Sequence, residues 1–79
     1  MKHEPTVEEI VDRIMATECG QQFEVALDPN VTRVANLEWL LPICAAQLGT
    51  TVSIAERPEN NQVVLTIQVL SVRQHAFAN

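Results

Sequence analysis

The spacing of apolar residues switches between helical and strand periods three times along the chain, and each switch marks an element. Val7, Ile10, Val11, Ile14 and Met15 recur at i, i+3, i+4, i+7 and i+8, one continuous stripe on an α-helix. Thr6 and Glu9 stand where a capping box closes the N-terminus of that helix, with Pro5 just outside it. Glu8, Glu9 and Asp12 crowd its first turns, where negative charge suits the helix dipole, and Gly20 is the expected stop. From Gln21 to Leu27 the period falls to two, with Phe23, Val25 and Leu27 on one face, which predicts a half-buried strand. Asp28-Pro29-Asn30 is turn chemistry, and Val31 to Ala35 fits either a helix or a short β return.

Beyond this point Leu37, Leu41, Cys44, Ala45 and Leu48 form a second helical stripe ending at Gly49, while Leu40 and Ile43 add apolar side chains on other faces. Such a helix is expected to be covered by protein on more than one side. Pro42 withholds a hydrogen bond from the Glu38 carbonyl and disfavours α geometry at Leu41, which predicts a kink or a helix start there. Thr50 to Glu56 alternates with Val52 and Ile54 inward, and Arg57 to Asn61 reads as a five-residue polar turn. The returning arm, Gln62 to Val72, puts Val63, Leu65, Ile67 and Val69 on one face and Val64, Thr66, Gln68, Leu70 and Val72 on the other. Its eleven residues overrun the shorter partner, leaving backbone groups near Leu70 to be guarded by Arg73, Gln74 and His75 or paired with a second copy of the chain. Together these elements predict one α+β domain over residues 1–79. It is a two-layer sandwich of two helices on a three- to four-stranded, mainly antiparallel sheet, in the order α-β-α-β-β.

Composition narrows the function classes. Ten acids against five bases give a net charge of −5, which opposes direct contact with nucleic acid. The same charge leaves open an acidic nucleic-acid mimic centred on Glu4, Glu8, Glu9 and Asp12, whose partner is a nucleic-acid-binding protein. The N-terminal residues lack the apolar core of a signal peptide, and the greasiest stretch, Leu37 to Leu48, carries Glu38, Pro42 and Gln47. It falls far short of a membrane span of about 20 residues, so the expectation is a soluble, cytoplasmic protein with no membrane partner. Cys19 and Cys44 form no C-x-x-C pair and are expected to be reduced, partly buried thiols, with a single disulfide between them as the alternative.

Reactive constellations are missing from the pattern. His3 and His75 lie near the chain ends, and Ser53 and Ser71 fall on strands without a nucleophile elbow. Both cysteines fall toward helix C-termini, where the dipole raises a thiol pKa. No pair of soft ligands has zinc-type spacing, and Gly20 and Gly49 make no phosphate loop. The expectation is therefore a non-enzymatic chain without cofactor or metal, bearing more apolar faces than one small core absorbs. That surplus predicts a protein-binding module: an adaptor, an assembly subunit, or a small inhibitor of the phage or mobile-element kind. Trp39 reads first as core; if exposed, it marks a contact surface with Leu40 and Ile43, to which Leu70 and Val72 are added. A homodimer through the sheet edge is expected alongside.

One resemblance adds an alternative. Val34-Ala35-Asn36-Leu37-Glu38-Trp39-Leu40, the small-residue run to Leu48-Gly49 and then Thr51-Val52-Ser53-Ile54-Ala55 are similar to the regulatory helix and following strand of the histidine phosphocarrier (HPr) family. His3-Glu4-Pro5 resembles the H-x-R-P of that family's phosphorylation loop, and the likeness covers about 50 residues. It implies phosphoryl transfer through His3. The chain departs from the family in having no arginine between His3 and Pro5, no strand ahead of that loop, and a β-type tail where the family ends in a helix.

Overall fold

The computed structural model describes residues 4–72. Within them the elements are α1 (Val7–Met15), β1 (Gln22–Leu27), α2 (Val34–Gln47), β2 (Thr50–Glu59) and β3 (Gln62–Val72). The order is α-β-α-β-β, and the architecture is α+β: both helices pack on one face of a three-stranded antiparallel sheet in the order β1-β3-β2.

The capping box of α1 forms as its sequence predicts. The Glu9 amide donates to Thr6 Oγ1 at 3.2 Å, and the Thr6 amide donates to Glu9 Oε1 at 2.8 Å. Ile10 and Ile14 are fully buried. The helix stops at Met15, short of the expected Gly20, because Thr17 competes with its own backbone. Its hydroxyl donates to the Arg13 carbonyl at 2.7 Å, taking the acceptor that the Thr17 amide would use in a longer helix, and that amide turns to Ile14 at 3.1 Å. Cys19 is thereby left outside any helix, exposed rather than partly buried, with its thiol donating to the Leu70 carbonyl at 3.2 Å.

The ambiguous stretch after β1 divides at Arg33. The Asp28 carboxylate accepts from the Asn30 amide at 2.9 Å, and its carbonyl accepts from Val31 and Thr32 at 2.9 and 2.8 Å, so Val31 and Thr32 are turn and α2 begins at Val34. Pro42 does not start a helix. α2 passes through it unbroken, because Val34, Leu37, Leu41 and Ala45 bury one stripe on both sides of the missing hydrogen bond. Leu48 and Gly49 alone connect α2 to β2, and Gly49 takes φ +83°, a left-handed turn that a side chain would strain.

The hairpin differs from its sequence reading. The turn is Asn60-Asn61, both residues at positive φ (47° and 66°), so β2 continues through Arg57, Pro58 and Glu59 instead of ending at Glu56. Two left-handed residues match the twist of the flanking strands, and asparagine tolerates that region better than other non-glycine residues. Counting back from the closing pair Glu59–Gln62, the main chain of Glu59, Arg57, Ala55 and Ser53 faces β3, and that of Pro58, Glu56, Ile54 and Val52 faces away. Pro58 therefore costs no ladder bond, which is why an edge strand accepts it.

β3 is the central strand, paired along its whole length: Val63 to Gln68 with β1, and Gln62 to Val72 with β2. The expected overrun near Leu70 is absent. Thr51 pairs with Ser71 and Val52 with Val69, so Leu70 is the extra residue of a β-bulge. The bulge reverses the alternation beyond it: Val72 stands opposite buried Thr50 and shares its face, the helix side, whereas unbroken alternation would send it outward. Val64, on the outer face, is only 4% exposed. Its register neighbours are Ala26 and Arg57, and the Arg57 guanidinium runs across the sheet to Glu24 Oε2 at 2.9 Å. The core joins Ile10 and Ile14 of α1, Leu37 and Leu41 of α2, and Val25, Leu27, Leu65, Ile67 and Val69 of the sheet. Among the described residues no helix is long and apolar enough to cross a membrane.

Candidate functional site

α2 carries the feature that the core does not use. At 100° per residue, Val34, Leu37, Leu41 and Ala45 point inward, Glu38 turns toward β2, and Leu40 and Cys44 turn toward α1. Trp39 and Ile43, one turn apart, point away from the protein. Trp39 is 58% exposed and Ile43 48%, against the expectation that the tryptophan is core. Ala35, Asn36, Ala46 and Gln47 complete that outward face, which bears no charge.

The other three expected contact residues fall in different places. Leu40 is half-buried on the flank facing α1. Val72 shares a hollow of about 200 Å³ with Ala46, Gly49 and Thr51, so the bulge brings it beside the C-terminal end of α2. Leu70, 48% exposed, is tied through its carbonyl to Cys19 in the connection between α1 and β1. The structure thus gathers Trp39 and Ile43 on one stripe, sets Leu40 on its flank and Val72 near its end, and places Leu70 elsewhere.

The acidic set separates into three roles. Glu4 Oε2 accepts from the Asp28 amide at 3.0 Å and from the Thr32 hydroxyl, clamping the turn after β1. Glu9 caps α1. Glu8 and Asp12 remain exposed on α1 and form one wall of a groove of about 480 Å³ whose other wall is Cys44 and Gln47 of α2, with Val7, Val11 and Leu48 between them. An acidic mimic would have to work with two of its four carboxylates committed inside the fold.

Two charge arrangements escaped the sequence reading. Glu24 and Arg57 lie 33 residues apart and meet only because a single strand, β3, lies between theirs. The hydrogen bond from Arg57 and its positive charge hold the Glu24 carboxyl below the ordinary range, and Glu24 raises Arg57 in return. Glu38 on α2 and Glu56 on β2 are close enough to share a hydrogen bond, which, with partial burial and like charge, raises the Glu38 pKa. On the other side of the sheet the Arg13 guanidinium stacks on Phe23 at 4.5 Å and reaches the Glu24 carbonyl at 3.5 Å.

Cys19 and Cys44 are free thiols. His3, on which the phosphocarrier reading turns, lies outside the described residues, as do Arg73, Gln74 and His75, the expected guard of the sheet edge. In comparison with known proteins, no family model, no curated protein and no solved structure matches this chain.

Proposed function

We propose that the chain is a non-enzymatic protein-binding module, an adaptor, assembly subunit or small inhibitor, that meets its partner through the outward face of α2, centred on Trp39 and Ile43. The observation that carries this reading is a tryptophan 58% exposed on a helix whose outer face has no charge. Leaving such a side chain in water forgoes burial of the residue type that most often anchors protein interfaces. A cytoplasmic setting is part of the proposal and is supported by two unpaired thiols, which a reducing compartment preserves. A homodimer is also part of it, moved from the end of β3, which β2 pairs as far as Val72, to the uncharged half of β2 from Thr51 to Ala55.

Trp39 is the sole tryptophan, so the test reads the proposed surface directly. Wild-type chain and Trp39→Ala are used side by side to capture proteins from the native host, and each captured protein is purified and titrated against the wild type. The expected result is a protein retained by the wild type and lost with the variant, whose addition shifts Trp39 emission to the blue while the variant keeps its far-UV circular dichroism. Capture unaffected by the substitution, or a variant that unfolds, would refute the reading, the second by making Trp39 structural.

A further inference from the structure

We propose that the groove between α1 and α2 receives a cationic amphipathic helix from a partner protein, an inference that rests on the binding-module reading and specifies the partner's chemistry. The floor is apolar, formed by Val7 and Val11 of α1 and by Leu48 just past the end of α2, with Leu48 48% exposed. One wall carries Glu8 and Asp12, and no hydrogen bond or ion pair among the described residues engages either carboxylate. Two arginines are engaged away from this wall: Arg57 with Glu24 across the sheet and with Glu59 on its own strand, and Arg13 with Phe23. The opposite wall, α2, is uncharged here, so an occupant meets apolar surface on its inner side and negative charge along one flank.

That combination selects the occupant. A neutral apolar segment would bury beside two unpaired carboxylates, and an acidic one would be repelled by them and by a net charge of −5. A basic segment gains from both. Glu8 and Asp12 are four residues apart on α1, about 6 Å along its axis, the same spacing as two lysines at i and i+4 on a docked helix. About 480 Å³ holds the apolar side chains of such a helix lying along the groove, not a folded domain.

The probe is a synthetic Leu/Lys peptide of about five helical turns with an amphipathic order, compared with a scrambled peptide of the same composition. Binding is followed by fluorescence anisotropy at several salt concentrations and mapped by amide chemical shifts on the intact chain. The expected result is perturbation centred on Val7, Val11 and Leu48, with the scrambled peptide at least about tenfold weaker. Glu8→Gln with Asp12→Asn should weaken binding by about fivefold and flatten its salt dependence, with circular dichroism unchanged. Equal binding of the scrambled peptide overturns the proposal, because net charge alone would then explain the attraction. Perturbations confined to Trp39 and Ile43, with the double substitution silent, overturn the groove and leave the binding module standing. Should the groove respond while Trp39→Ala loses no partner, the α2 face falls and the groove survives.

Discussion

At the scale of single residues, the chain's least conspicuous letters fix its least expected geometry. Asn60 and Asn61 hold left-handed backbone at 47° and 66°, where a β-branched side chain collides with its own carbonyl. Replacing Asn61 by Val should therefore cost about 1–2 kcal/mol, and replacing it by Gly should leave stability unchanged or slightly raised. Denaturation midpoints of the two variants check this, and a Val variant as stable as the Gly variant would rule out a two-residue turn. The neighbouring Arg57-Pro58-Glu59 looks more turn-like in composition than it is. A proline whose amide would face solvent loses nothing on an edge strand, so composition there says little about conformation.

At the scale of elements, α2 pairs a helix-breaking residue with strong tertiary support. Pro42 deprives the Glu38 carbonyl of its helical donor, and the burial of Leu37, Leu41 and Ala45 outweighs that loss. Pro42→Ala restores the donor but frees the unfolded chain, so a net gain of about 1–2 kcal/mol is expected in urea unfolding. A destabilised variant would show that the proline ring itself packs. Two carboxylates report on how α2 and the strands meet, with opposite signs. The Glu24 pKa is lowered, so its pairing with Arg57 stabilises the fold above the ordinary carboxylate range and is lost as pH falls through the depressed value. Glu24→Gln should thus be less stable than wild type at neutral pH, with the gap closing as pH falls through the depressed Glu24 value. The Glu38 pKa is raised, so its contribution is present in acid and lost as pH rises, and Glu38→Gln should be slightly more stable than wild type at neutral pH. Thermal melts of both variants across the acid range test the signs, and parallel curves would contradict them. The elements themselves were legible because helix and strand periods separate cleanly in this sequence, and the capping box and the inward faces of β1 and β3 follow from them. The bulge at Leu70 was not legible: one extra residue leaves the hydrophobic alternation intact to the eye while turning Val72 to the helix side. The exposure of Trp39 was not legible either, because a helix apolar on every face gives no periodic sign of which face is covered.

At the scale of the whole molecule, the sheet order decides where a second copy can join. β3 lies between its neighbours, and β2 pairs it as far as Val72. On β1 the free side of Glu24 is approached by the Arg13 guanidinium, and on β2 the far half is guarded by Glu56, Arg57, Pro58 and Glu59. Among the described residues, the run from Thr51 to Ala55 is an edge where the backbone groups of Val52 and Ile54 face away from β3 beside side chains with no charge. Two copies meeting there antiparallel about a two-fold axis would extend the sheet from three strands to six, with Ser53 of each copy near the axis. Against this works a net charge of −5 on each copy, a repulsion that salt screens over about 8 Å at physiological ionic strength. Dimerisation through β2 should therefore strengthen as salt is raised, opposite to the expected behaviour of a cationic helix in the α1–α2 groove. Light scattering after size exclusion should give a mass near twice 8.8 kDa at micromolar concentration. Ser53→Lys, which places two positive charges at the axis on an exposed outer position, should return the mass to 8.8 kDa without altering the circular dichroism. A wild-type mass of 8.8 kDa at high salt would remove the dimer, and a dimer indifferent to Ser53→Lys would move it off this edge.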